Sequence, residues 1–136
     1  MLCSDLIHRI ETRYPKCVAE EWDNVGLILG SMQKDIKKVY VALDATDEVI
    51  RDAIACKADL LLTHHPLVFS PMKQVTDETM EGGRMLTLLH NDMCYYAMHT
   101  NYDILRMADL AANLIGLEDM EILMPTVEDN TIGIGR

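Results

Sequence analysis

Basic residues are scarce in this chain: twelve Lys and Arg stand against 22 Asp and Glu, for a formal net charge of −10. A field of that sign repels phosphate backbones and anionic lipid, which excludes nucleic acid and membrane as primary partners. No apolar run approaches the ~20 residues needed to span a bilayer. The opening MLCSDLIHRIETRY breaks its apolar residues with charges, unlike a secretory signal peptide. The four cysteines, Cys3, Cys17, Cys56 and Cys94, include no CxxC pair and have mostly apolar neighbours. In a chain of this size, which needs no crosslinks, they read as buried free thiols of a cytoplasmic protein. P-loop, GxSxG, HExxH and GxGxxG motifs are all missing, and Ser4, Ser31 and Ser70 have no nucleophile setting.

What is present is a globular composition, 49% apolar and 25% charged over 136 residues, enough for one α/β domain with a substantial core. Ser4 is placed to cap a helix over residues 5–13, which Pro15 stops. The β-branched run VYVALD (39–44) predicts a buried strand, followed by a helix to about Lys57 with Thr46 as its cap and Asp47 and Glu48 in its first turn. DLLLT (59–63) and MCYYAMH (93–99) predict two more strands. Between them lie a loop over 70–83 and a helix ending near Asn91; MADLAANLIGL then forms a helix closed near Gly116, and TIGIG starts a last strand. Apolar strands separated by helices imply crossover units, a mostly parallel or mixed sheet covered on both faces.

LLLTHHPLVF (60–69) carries the chemistry. Successive strand residues face opposite ways, so His64 and His65 cannot both enter one core while the chain is extended. Pro66 removes a ladder donor, which puts the pair where the chain leaves the sheet. In a parallel sheet that is the carboxyl end, where open α/β folds place their sites. MHTNYD (98–103) leaves a second apolar strand in the same manner, so His64, His65, His99 and Asp103 fall around one cleft. Imidazole and carboxylate together suit Zn, Fe or Mn, and two ions are accommodated if the adjacent histidines splay. Each half also has an ordinary account: a hydrogen-bonded surface His-His pair, and a turn in which Asp103 accepts backbone N–H groups. EEWDNVG (20–26) reads as a capped loop with Trp22 packed over the core, His8 and His90 as exposed or paired, and the ten methionines as core filler.

Taken together, EEWDNVGL, LLLTHHPLVF and MHTNYD resemble the GTP cyclohydrolase I type 2 family, also called the NGG1-interacting-factor-three-like proteins, in order and spacing along nearly the whole chain. The resemblance implies a three-layer α/β/α fold, a dinuclear metal centre and a homohexamer. It implies His64, His65 and Asp103 as metal ligands, with His99 and the Trp22–Asp23–Asn24 loop lining the cleft. The reaction it implies is metal-dependent hydrolysis of a nucleotide or related small molecule, by analogy GTP ring opening, with His99 moving protons as general acid or base. A non-catalytic metal-binding scaffold or regulatory partner is the alternative. The family completes its centre with a late Gly-His-x-x-x-Glu segment that is not found here, so this chain is expected to be the N-terminal half of a longer dinuclear-metal protein, with an incomplete site. ILRMADLAA also replaces a Gly-rich turn common after the Asp.

Overall fold

A computed structural model describes residues 1–124 and the backbone of 125 and 133–135. It divides into two compact units, Met1–Asn101 and Tyr102–Arg136. The first holds α1 (Cys3–Arg13), a 3-10 turn (Lys16–Val18), β1 (Gly26–Leu29), β2 (Val39–Ala42), α2 (Asp47–Ala55), β3 (Leu60–Thr63), α3 (Met80–His90) and β4 (Cys94–Ala97). The sheet order is β1-β4-β3-β2; β2, β3 and β4 run parallel and β1 is antiparallel to β4. The sheet is therefore mixed and the class α/β, as the alternation of strands and helices predicts.

The central strands divide their side chains between two cores. Leu61 and Tyr95 pack with Ile50 and Ala53 of α2 and Leu88 of α3. Leu60, Cys94 and Tyr96 pack with Cys3 and Ile7 of α1 and with Ile36. Helices thus cover both faces. Leu60 and Leu61 are both fully buried, and trimming either to Ala costs about 2–5 kcal/mol.

Local physics decides where the elements start. Thr46 caps α2, its hydroxyl accepting from Val49 N at 3.2 Å, as expected. Ser4 does not cap α1. The helix begins at Cys3, and its first N–H groups donate to carbonyls of a neighbouring loop, Cys3 to Lys34 at 2.8 Å and Ser4 to Met32 at 2.9 Å. A side-chain cap is unnecessary where tertiary carbonyls satisfy those donors.

The helix expected in the eighties starts earlier, at Met80, and takes in part of the predicted loop. Thr79 caps it, accepting from Gly82 N at 3.1 Å. The backbone of Thr76 lies so close that a Cβ on residue 82 would sit 2.0 Å from its oxygen. Gly82 therefore marks a tight approach rather than a break. The VYVALD strand is a sheet edge, not a buried strand: Val41 is 69% exposed and Leu43 59%. All four cysteines are free; Cys3 and Cys94 are buried, but Cys56 is half-buried and Cys17 exposed. Desolvation first, then the neighbouring Cys94, pushes the Cys3 thiol up to about 11. Met85 and Met93 fill core as expected, whereas Met32, Met80 and Met124 are exposed.

In the second unit a π-helical segment, Asp103–Met107, precedes α5 (Ala108–Ile115); the short α4 (Thr100–Tyr102) spans the boundary between units. Gly116 closes α5 at φ 73°, a left-handed conformation that glycine adopts without strain. β5 (Ile122–Pro125) and β6 (Gly133–Gly135) pair antiparallel. Of the strand predicted at TIGIG, Thr131 and Ile132 lie outside the described residues. Among the described residues no helix is long and apolar enough to cross a membrane.

Candidate metal centre

Parallel pairing puts Ala42, Thr63 and Ala97 on one rung of the sheet. Two residues further on, each strand has delivered a polar side chain to the same carboxyl end: Asp44, His65 and His99. His64 lies one step before His65. The ladder continues past the strands, with His65 N donating to Leu43 O at 3.0 Å and Met98 N to Thr63 O at 3.0 Å. Because β1 is antiparallel and its Gly26 pairs with Ala97, the loop before it brings Asp23 to this end as well.

The three imidazoles converge. Their ring centroids are 4.9 Å apart for His64–His65, 5.0 Å for His64–His99 and 5.6 Å for His65–His99. One ligating atom from each falls within 4.8 Å of the others. Every ring is oriented through Nδ1: His64 to Met98 O at 3.0 Å, His65 to Asp44 Oδ1 at 2.7 Å, His99 to Asp23 Oδ1 at 3.0 Å. Carbonyl and carboxylate oxygens only accept, so Nδ1 carries the proton in each ring, and it is the neutral form of such a ring that offers an Nε2 lone pair. That is the tautomer and the outer hydrogen bond that metal-binding histidines use. The 4.8 Å limit also brackets the ~3.3 Å between nitrogens sharing a tetrahedral cation at ~2.0–2.1 Å. The donor set therefore fits a divalent ion of the Zn, Fe or Mn class.

The supports are themselves fixed. The Asp23 side chain is fully buried beside His99, which is 13% exposed. Burial works to raise the Asp23 carboxyl, but bonds from the Thr100 hydroxyl, His99, Thr100 N and Asn24 N outweigh it and hold it below the ordinary range. Behind His65 runs a buried relay. Leu67 N donates to the Tyr95 hydroxyl at 2.8 Å, that hydroxyl lies 2.7 Å from Thr63 Oγ1, and Thr63 donates to His65 O at 2.8 Å. Desolvation first of all raises the Tyr95 phenol, keeping it a neutral donor.

His64 and His65 thus lie together as the sequence predicts, and His99 stands among them on equal terms, with the same Nδ1 anchoring. Asp103 opens the π-helical segment of the second unit. Asp44 and Phe69 went unmarked in the sequence. Asp44 could have been found from the register, two residues past the end of its strand like His65 and His99. Trp22 is not packed over the core. It is 59% exposed and stacks on Phe69, with ring centroids 6.3 Å apart. His8 and His90 are exposed. Elsewhere a hollow of about 370 Å³ lies between α2 and α3, but its Arg84 is already paired with Asp47 at 2.7 Å.

This chain is 38% identical over its full length to a GTP cyclohydrolase 1 type 2 homolog of Clostridium perfringens, and covers 53% of that protein. It is 38% identical to the homolog of Halalkalibacterium halodurans, matching 92% of this chain and 34% of the relative. A Bacillus cereus protein related to NIF3 superposes at TM-score 0.85 with 36% identity, over 93% of this chain and 35% of that one. Reduced HcgD from Methanocaldococcus jannaschii superposes at 0.82 with 38% identity, over 96% and 51%. The chain therefore spans between a third and a half of the length of these relatives. The family model of Duf34/NIF3 (NGG1p interacting factor 3) matches residues 1–136, and the chain belongs to that family.

Proposed function

We propose that His64, His65 and His99 bind a divalent cation through Nε2, and that this centre serves a metal-dependent hydrolase acting on a nucleotide or related small molecule. The observation that carries the reading is the convergence of three imidazoles whose Nδ1 atoms are all tied to acceptors. A divalent cation supplies Lewis-acid polarisation and charge stabilisation when bound. The chain's own contribution is orientation. Asp44 and Asp23 fix the His65 and His99 tautomers and raise the basicity of Nε2. Where His99 is not engaged with metal, its pairing with Asp23 has the layout of a general base held by an orienting carboxylate. The resemblance adds a second ion, Asp103 as a further ligand, and a cytoplasmic homohexamer; Asp103→Asn with metal counting, and light scattering of the intact protein, test these.

Isothermal titration with Zn, Mn and Fe(II) provides the direct measurement. Wild type takes up metal and melts higher as the concentration rises above Kd, by about 2.7 kcal/mol at a hundredfold excess over Kd. His64→Ala, His65→Ala and His99→Ala each lose more affinity than the roughly 10–100-fold that removing an outer partner costs. Wild-type melting that ignores all three metals rejects the centre. The family description as an interacting factor favours a second reading, a metal-binding regulatory scaffold. Intact protein that is metal-loaded yet leaves nucleotides unchanged, and whose partner binding is abolished by His64→Ala, decides for the scaffold.

A further inference from the structure

Two large aromatics stand exposed beside the histidines. Trp22, from the loop before β1, is 59% exposed, and Phe69, from the loop after β3, is 50% exposed. Their rings are nearly parallel, 16° apart, at a centroid distance of 6.3 Å. His99 meets both edge-on, at 6.1 Å from Trp22 and 5.7 Å from Phe69. The pair therefore begins where the imidazole trio ends. Neither side chain is left exposed by a loose loop. Asp23, next to Trp22, is bound by His99 and by Thr100 N and Oγ1. Asn24 donates to Val68 O at 2.7 Å, which ties the Trp22 loop to the residue before Phe69. Two rings held in place and open to solvent offer stacking area at little ordering cost.

We propose that Trp22 and Phe69 form a stacking platform for the planar, fused heteroaromatic ring of the ligand. The inference deepens the metal-centre reading and rests on it for the chemistry; the stacking itself needs no metal. It also assigns which part of the ligand this chain recognises. Glu20 and Glu21, just before Trp22, are exposed and the chain carries a net charge of −10, so a neutral ring is welcome here where a phosphate is repelled. Fused rings bind better than single rings because they cover more of the aromatic faces, and every base has a π-face to offer.

Trp22 is the sole tryptophan, so its fluorescence reports this position alone. The experiment titrates the chain, in excess chelator, with guanosine, uridine, ribose and guanosine triphosphate. Guanosine quenches Trp22 at the lowest concentration, uridine at a higher one, ribose not at all, and the triphosphate is weaker than guanosine. Phe69→Ala weakens guanosine by roughly five- to a hundredfold, the range stacking on one ring supports, without changing the circular dichroism or the melting point. Equal responses to ribose and guanosine, no response up to the solubility limit, or an unchanged guanosine affinity in Phe69→Ala overturns the platform. A spectral shift that follows protein concentration instead of ligand assigns the pair to self-association, and overturns it too. The metal titrations stand apart: metal uptake without ring binding sinks the platform alone, and ring binding without metal uptake sinks the centre alone.

Discussion

The two ends of the four-stranded sheet both carry polar clusters, and they use them differently. At the amino end the donors and acceptors answer one another within the chain. Asp59 accepts from Lys37 N and Lys38 N, both at 2.8 Å, Lys38 Nζ donates to Cys56 O, and Lys34 pairs with Asp92. A hollow of about 350 Å³ lies there too, but in its lining Lys34 and Asp92 bind each other and Asp59 closes a turn by accepting backbone N–H groups. At the carboxyl end three groups of one kind face each other, while their acceptors, Asp44, Asp23 and Met98 O, stand behind them. Complementary groups that find each other finish a fold. Like groups held face to face with their partners behind them are the arrangement that the proposed metal centre needs.

The sharpest way to break that contrast is Asp44→Ala. If the carboxyl end is a built metal centre, losing the His65 support weakens metal binding by roughly 10–100-fold and moves the apo melting point little, since Asp44 and His65 are about half exposed. Calorimetry with Zn on one preparation and differential scanning on another separate the two effects. A lower melting point with unchanged metal affinity makes the two ends equivalent, both merely structural.

Tyr95→Phe comes next in size and probes the boundary between scaffold and site. It deletes a buried hydroxyl that accepts from Leu67 N and touches Thr63, at a cost of about 1–2 kcal/mol in urea unfolding. The same change loosens the carbonyl of His65, so metal affinity falls less than in Asp44→Ala. An effect on metal larger than that of Asp44→Ala would show that the relay, not the carboxylate, orients the ring.

Which parts of this contrast were legible in the sequence follows from the range of the interactions involved. His64, His65 and Pro66 announce a strand exit through local rules alone: alternation, and a proline that cannot donate. The position of His99 is equally local. What Asp44, His65 and His99 have in common is a rung two residues back, Ala42, Thr63 and Ala97, and register is a long-range fact carried by crossover connections. Asp44 was invisible for that reason, although the same strand-exit rule applied along the neighbouring strand locates it. Trp22 was misplaced because an aromatic between acidic residues and a glycine is consistent with core packing; its true partner, Phe69, lies 47 residues on. The Ser4 cap failed where tertiary carbonyls replaced a side chain, and the early start of α3 was hidden by Gly82, which serves a close backbone approach.

The smallest effect belongs to the amino end and bears on its half of the contrast. Burial tends to raise the Asp59 carboxyl, but the N–H groups of Lys37 and Lys38, with the Lys34 and Lys37 charges, outweigh it and hold it below its ordinary value. A carboxylate whose folded pKa lies under its unfolded one adds stability above the unfolded value, about 3.9, and loses it as pH falls through the folded one. Asp59→Asn should therefore be slightly less stable than wild type at pH 6, with the gap closing below about pH 4, when urea midpoints are followed down the pH scale. Zn affinity at neutral pH should be identical in the two. Were the substitution instead to weaken metal binding, the amino end could no longer be treated as a closed set of internal pairs, and the division of labour along the strands would have to be redrawn.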